Sequence, residues 1–211
     1  MTNNMSNNIK SNSFKLYNYF RSSASYRVRI ALHFKGIPFE YIPVHLVKDG
    51  GEQFLDNYKK LNPISQVPCL VHGDKTISQS VAIIEYLDEV VPTSPLYPKD
   101  AYQRALVRQI CEIFNSSIQP LQNLIVLAEL TNSFKANDAA KTAWIQRWNH
   151  NGLQAVESLI KTHASANNNN NDSSLIKYCF GDSFTAADCF LAPQIFSALR
   201  FGRFIFVPYN S

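Results

Sequence analysis

From Phe14 to Leu87 short β-prone runs alternate with helical patterns, and beyond Leu87 the strands all but cease. That switch constrains the fold more than any composition value. Phe14-Lys15-Leu16-Tyr17-Asn18-Tyr19 alternates and is aromatic-rich, as a half-buried strand does. A polar turn, Arg21 to Ser25, precedes a helical pattern from Tyr26 to Lys35, with Gly36 placed to end it. Phe39 to Val44 reads as a second strand, and Gly50-Gly51 open a short helix that stops at Asn62-Pro63. Val67 to His72 and Lys75 to Ile77, joined by Gly73-Asp74, predict a hairpin. Ser80 then stands as N-cap of an amphipathic helix through Leu87. The order β-α-β-α-β-β-α predicts an α/β domain with four strands.

Residues 1–13 are Asn-rich and read as a disordered tail, residues 14–91 as the α/β domain, and the Pro-rich residues 92–99 as a linker. Residues 100–211 read as an all-helical domain with long helical patterns at Asp100 to Leu130, Ala139 to His163 and Thr185 to Leu199. Thr185-Ala186-Ala187-Asp188 has the form of a capping box, and the Asn tract near 166–172 reads as a loop between helices.

The charge balance is +4 with no basic block interleaved with aromatics, so nucleic acid is not the expected partner. No apolar run approaches the roughly 18 residues of a membrane span, and the polar N-terminus lacks the marks of a targeting segment. A cytoplasmic protein is expected. Cys69, Cys111, Cys179 and Cys189 lie in apolar surroundings without metal or redox spacing, and the five histidines are scattered. No metal site is expected.

The strand–helix order resembles a thioredoxin-like domain. In that arrangement the end of the first strand meets the N-terminus of the first helix, where free N–H groups and the helix dipole favour a thiolate. Redox members carry two cysteines there; this chain has Ser22-Ser23-Ala24-Ser25, so a thiolate must come from a ligand, and glutathione is the obvious donor. Lowering a thiol from about 8.5 to about 6.5 requires about 2.7 kcal/mol of preferential stabilisation. One hydroxyl hydrogen bond to the thiolate supplies ~1.5–3 kcal/mol, and a helix end up to ~1. Val67-Pro68 matches the position of the fold's cis proline, and Gln79-Ser80 offers an amide, a hydroxyl and free N–H groups suited to a carboxylate.

Those features carry a more specific likeness. Tyr19 to Leu32 (YFRSSASYRVRIAL), Lys48-Asp49-Gly50-Gly51, Leu61-Asn62-Pro63, Gln66-Val67-Pro68, Gln79 to Leu87 and Ile118 to Asn123 together resemble the zeta-class glutathione transferases, the maleylacetoacetate isomerases. The resemblance runs from Leu16 to Phe201 and implies glutathione as cofactor and a small anionic substrate. It assigns Ser22 and Ser23 as the hydroxyls facing the sulfur, with Ala24, Ser25, Tyr26 and Arg27 lining the tripeptide. Gln53 and Val67 would hold its glycyl and cysteinyl parts, and Gln79 and Ser80 its γ-glutamyl end. Gln119, Asn123, Leu124 and Ile125 would add contacts, and Arg27 and Arg200 would orient the substrate. The implied reaction is the cis–trans isomerisation of maleylacetoacetate to fumarylacetoacetate, in phenylalanine and tyrosine catabolism, by a homodimer.

Two departures from the family bear on this. Ala24 stands where the family has cysteine, and Ser22 is expected to sustain the reaction without that thiol. The chain also ends, at Phe206 to Ser211, before a further helix of the family, which predicts exposed apolar surface. The alternatives are a transferase that conjugates or dehalogenates small electrophiles and a non-catalytic glutathione-binding protein.

Overall fold

The computed structural model describes residues 13–167 and 177–201. Its contacts divide the chain into two units, one ending at Leu96 and the other beginning at Tyr97. The first unit is a thioredoxin-like sheet with helices, and the second is helical.

Strands β1 (Phe14–Asn18), β2 (Phe39–Pro43), β3 (Cys69–His72) and β4 (Lys75–Ser78) form one sheet in the order β2-β1-β3-β4. β1 runs parallel to β2, with Phe14 opposite Phe39, and antiparallel to β3, with Leu16 opposite Leu70. The parallel pair requires a crossover, supplied by helix α1 (Ser23–Phe34). Helices α2 (Asp56–Leu61) and α3 (Ser80–Val90) follow in the same unit.

Alternation along β1 sorts the core into two faces. Leu16 and Leu70 are wholly buried on the side of α1 and α3, whose Val28, Ala31, Leu32, Ile83, Ile84 and Leu87 are also fully buried. Tyr17 turns the other way, against a cluster of Tyr19, Val44, Tyr58, Val67 and Cys69. Gly36, at φ 65°, takes the left-handed turn that ends α1, with its N–H donating to the His33 carbonyl at 3.0 Å.

Sequence periodicity misplaces two local features of this unit. Gln79 (φ 75°) is the N-cap of α3 and Ser80 its first helical residue, the reverse of the expected capping. The segment around Gly50-Gly51 forms two short 3-10 turns, Lys48–Gly50 and Glu52–Phe54, before α2 begins. Gly51 sits at φ 98°, a backbone conformation that requires glycine, and a Cβ there would also push the end of the Gln53 side chain, 2.6 Å away.

The segment after α3 is tied down by Lys35. Its side chain is fully buried, pairs with Asp88 at 2.7 Å and donates to the carbonyls of Thr93 (2.9 Å) and Ser94 (3.1 Å).

The helical unit contains α4 (Ala101–Glu112), α5 (Leu124–Asn132), α6 (Asp138–Asn167) and α7 (Ala186–Arg200). The long helix expected from Asp100 to Leu130 is broken. After α4 the chain widens into a π-helical stretch, Ile113–Ile118, and tightens into a 3-10 turn, Gln119–Gln122. Pro120, lacking an N–H and fixed in φ, disfavours continuing the α-helix and sits at the start of the 3-10 turn, which a periodicity of apolar residues does not register. The capping box forms at α7: the Thr185 N–H donates to the Asp188 carboxylate at 2.8 Å, and the same carboxylate accepts from Cys179 N–H at 2.8 Å. Among the described residues no helix is long and apolar enough to cross a membrane. The expected N-terminal tail, most of the Asn tract and the chain's last ten residues lie outside the described residues.

Candidate active site

The N-terminal unit gathers its polar groups where β1 ends and where α1 and α3 begin. Ser22 is the N-cap of α1, with extended backbone (φ −78°, ψ 118°), and its Oγ accepts from the Ser25 N–H at 3.1 Å. Capping is therefore one of its roles, as for any serine before a helix. It does not exhaust the residue: with Oγ accepting from the backbone, the hydroxyl proton remains to donate away from the helix. Ser22, Ser23 and Ala24 are partly exposed, Tyr26 is exposed, and Ser25 is wholly buried. The Ser25 N–H is taken by Ser22, so this residue acts by holding the neighbouring hydroxyl in place.

The loop is braced from beneath by a residue that motif reading passes over. Arg29 donates to Asn18 Oδ1 at 2.8 Å and to the carbonyls of Tyr19 (3.4 Å) and Phe20 (3.3 Å), and its guanidinium lies over the Tyr26 ring. Burial lowers its pKa. Asn18, fully buried, donates in turn to the Leu16 carbonyl at 3.0 Å. Strand end and loop are thus fixed by one network.

Arg27 is 1 % exposed, so its charge is buried rather than solvated. Its Nη1 donates to Ser80 Oγ at 3.1 Å, linking α1 to the first residue of α3. Ser80 accepts from a cation, and its own proton is left to donate. Neither α1 nor α3 has an acidic residue in its first turn. Two helix N-termini, two hydroxyls and a buried guanidinium form a donor set suited to an anion bearing a carboxylate and a thiolate.

The approach to Val67 is equally organised. The Val67–Pro68 bond is cis. Tyr58 Oη and Asn62 Nδ2 both donate to the Gln66 carbonyl, at 2.6 and 2.7 Å. That arrangement accounts for the Leu61-Asn62-Pro63 motif: Asn62, 2 % exposed, serves the backbone just before Val67. Gln53 is 8 % exposed, donates to the Leu46 carbonyl at 3.2 Å and keeps a buried Oε1 without a hydrogen bond. His45, unremarkable in the sequence, accepts the Lys48 N–H on Nδ1 at 2.9 Å and shapes the same loop.

The family of the glutathione S-transferase N-terminal domain matches residues 12–89. The probable maleylacetoacetate isomerase 2 of Drosophila melanogaster is 44% identical over 203 residues, covering 95% of this chain and 82% of the fly protein. A bacterial maleylpyruvate isomerase described as a zeta-class glutathione transferase superposes with a TM-score of 0.81 at 41% identity, covering 93% of this chain and 87% of that one.

The chain belongs to the zeta class of glutathione transferases.

A second structure, the maleylacetoacetate isomerase of Anaeromyxobacter dehalogenans with glutathione bound in its active site, has a TM-score of 0.76 at 36% identity, covering 92% of this chain and 84% of that one. In this zeta-class chain the candidate residues of the helical unit flank the broken helix. Gln119 opens the 3-10 turn, and Asn123 caps α5 by accepting the Ile125 N–H at 3.2 Å. Leu124 and Ile125 are 53% and 60% exposed, apolar side chains left uncovered within the unit. Arg200 is exposed in the last turn of α7, with its guanidinium 5.6 Å from the Phe201 ring centroid. Among the described residues no group of His, Cys, Asp and Glu gathers as a metal ion would require.

Proposed function

We propose that this chain catalyses the glutathione-dependent cis–trans isomerisation of maleylacetoacetate to fumarylacetoacetate. The observation that carries the reading is Ser22: a partly exposed hydroxyl at a helix N-terminus, its acceptor side occupied by Ser25 N–H, in a loop without cysteine. Glutathione, when bound, supplies the thiolate that adds to the cis double bond and departs after rotation, so it is not consumed.

The residues divide the work by chemistry. Ser22 donates to the sulfur and, with the dipole of α1, holds it ionised; Ser23 is the second hydroxyl of that turn. Ser80, with the first-turn N–H groups of α3 and the Gln79 amide, holds the γ-glutamyl carboxylate, and Arg27 orients the Ser80 hydroxyl for that bond. Val67 pairs backbone to backbone with the cysteinyl part, and Gln53 binds the glycyl end. Gln119, Asn123, Leu124 and Ile125 complete the contacts, and Arg200 orients the diacid and steadies negative charge that builds on it.

The same family likeness supports a cytoplasmic homodimer acting in tyrosine and phenylalanine breakdown. The bacterial relative favours a second substrate of the same chemistry, maleylpyruvate, also a cis-maleyl diacid. The deciding experiment follows isomerisation of each diacid by purified protein, with and without glutathione. Glutathione-dependent turnover of maleylacetoacetate bears out the proposal. Bound glutathione with neither diacid converted would overturn it and leave a conjugating transferase or a binder.

A further inference from the structure

The turn that carries Gln119 and Asn123 has a backbone hydrogen bond of its own, from Asn123 N–H to the Pro120 carbonyl at 3.1 Å, and is otherwise held by side chains far along the chain. Gln122 Nε2 donates to Asn149 Oδ1 at 2.9 Å, and Gln194 Nε2 donates to the same oxygen at 2.6 Å. Ser197 Oγ donates to Gln122 Oε1 at 3.1 Å, and Trp144 Nε1 donates to the Leu121 carbonyl at 2.8 Å. Asn149 and Gln194 are 3 % and 1 % exposed. Asn149 Oδ1 is thus the common acceptor joining the turn to α6 and α7. A core needing only volume would place leucine there, because buried amides are costly, and here Asn149 Nδ2 and Gln194 Oε1 are buried without a hydrogen bond. The stretch just before the turn is π-helical, which leaves the backbone without α-helical restraint where the clamp acts.

We propose that Asn149 is the positioning residue of the Gln119–Asn123 turn: through Gln122 it sets where Gln119 and the Asn123-capped start of α5 stand, and so how tightly glutathione is held. The inference rests on the reading that this turn contacts glutathione.

The test measures glutathione Kd by calorimetry, kcat at saturating glutathione, and Tm. Asn149→Leu removes the shared acceptor at similar volume and is expected to raise Kd about tenfold while kcat stays within about twofold. Asn149→Asp keeps an oxygen facing both amides and is expected to restore Kd to within about threefold. Val156→Ala, a core truncation on the same helix, lowers Tm without moving Kd, which separates positioning from general destabilisation. If Asn149→Leu does not fold, Ser197→Ala, which deletes one bond to Gln122, is expected to raise Kd about twofold to threefold. A folded leucine variant with wild-type Kd overturns the inference, as does an aspartate variant no better than leucine. Gln119→Ala and Asn123→Ala distinguish the levels: if both bind glutathione as the wild type does, the reading of the turn fails; if they weaken it while Asn149→Leu does not, only the positioning role fails.

Discussion

In the N-terminal unit the groups proposed to meet the ligand are the ends of regular elements: the Ser22 cap of α1, the first turn of α3, and the backbone before β3. In the helical unit they sit on the stretch where regular helix gives way, Ile113 to Asn123, and neutral amides on α6 and α7 hold them. An element end is set first by local chemistry, such as the Ser22 cap, and only then by longer contacts such as Arg27 to Ser80. A clamped turn has less such support and depends on residues 23 to 75 positions away. The anchors differ likewise: the sheet unit uses one buried ion pair, Lys35–Asp88, and the helical unit uses uncharged amides.

The largest effect follows from that last contrast. Lys35→Met leaves Asp88 without its cation, and two carbonyls lose their donor. Breaking a buried pair from one side costs about 3–5 kcal/mol, so chemical denaturation should show a loss of that order, well beyond Ser197→Ala. A loss under 1 kcal/mol would mean that the ionic anchor is no stiffer than the amide clamp.

Ser22→Ala comes next, read in turnover. Losing one hydrogen bond to a thiolate corresponds to ~1.5–3 kcal/mol, roughly 10- to 150-fold in kcat/KM. Deleting the cap costs about 1 kcal/mol of stability besides. Ser22→Thr keeps both functions and should stay within about tenfold of wild type. If alanine there leaves kcat/KM unchanged, the hydroxyl that faces sulfur is Ser23.

The contrast between units also explains what the sequence discloses. The sheet order and most of its boundaries follow from period-two alternation and turn residues, and Ser22, Val67-Pro68 and Gln79-Ser80 stand out because they mark element ends. Arg27 was legible as a functional cation, but its burial against Ser80 was not, because a contact 53 positions apart leaves no local trace. Asn18 and His45 brace the loops and carry no motif, and Arg29, though inside the Tyr19–Leu32 motif, acts in the same way. In the helical unit the residues around Gln119 are found only by likeness to the family. The break at Pro120 was readable in principle, since proline inside a helical pattern is a stop signal. The amide clamp was not, because Asn149 and Gln194 look like any polar residue on a long helix.

Two glycines, one in each unit, give a smaller effect that sharpens the same point. A Cβ on Gly152 would lie 2.2 Å from Ile118 Cγ1, so α6 approaches the π-helical stretch as closely as a glycine permits. Overpacking costs about 1–3 kcal/mol, set against the ~1 kcal/mol that alanine gains in a helix interior. Gly152→Ala should therefore lower Tm by a few degrees and weaken glutathione binding. Adding Ile118→Ala should recover part of the loss, because the new methyl group fills the space vacated. Gly51→Ala in the other unit has no such rescue, since φ 98° is strained for any side chain whatever its neighbours. Full additivity of the Gly152 and Ile118 changes would break the argument that close approach is the reason for that glycine.

The smallest effect is one of pH, and it too separates the units. Burial pushes the Cys69 thiol in the sheet unit up to about 11 from an ordinary 9.0. Burial raises Cys179 and Cys189 in the helical unit further, with the nearby Asp188 carboxylate adding to it. A group that keeps its proton longer when folded stabilises the fold fully below its unfolded pKa. That stability is lost as pH rises through the folded value, because the unfolded chain has already released the proton. Stability should therefore fall from about pH 9 upward, with the Cys69 share gone by about 11. Comparing wild type with Cys69→Ala across that range isolates the share from lysine and tyrosine titration; identical slopes would show that Cys69 does not stay protonated. The same shifts leave these three thiols protonated at neutral pH and slow toward thiol reagents. These three cysteines therefore do not compete with a ligand thiolate for an electrophilic double bond.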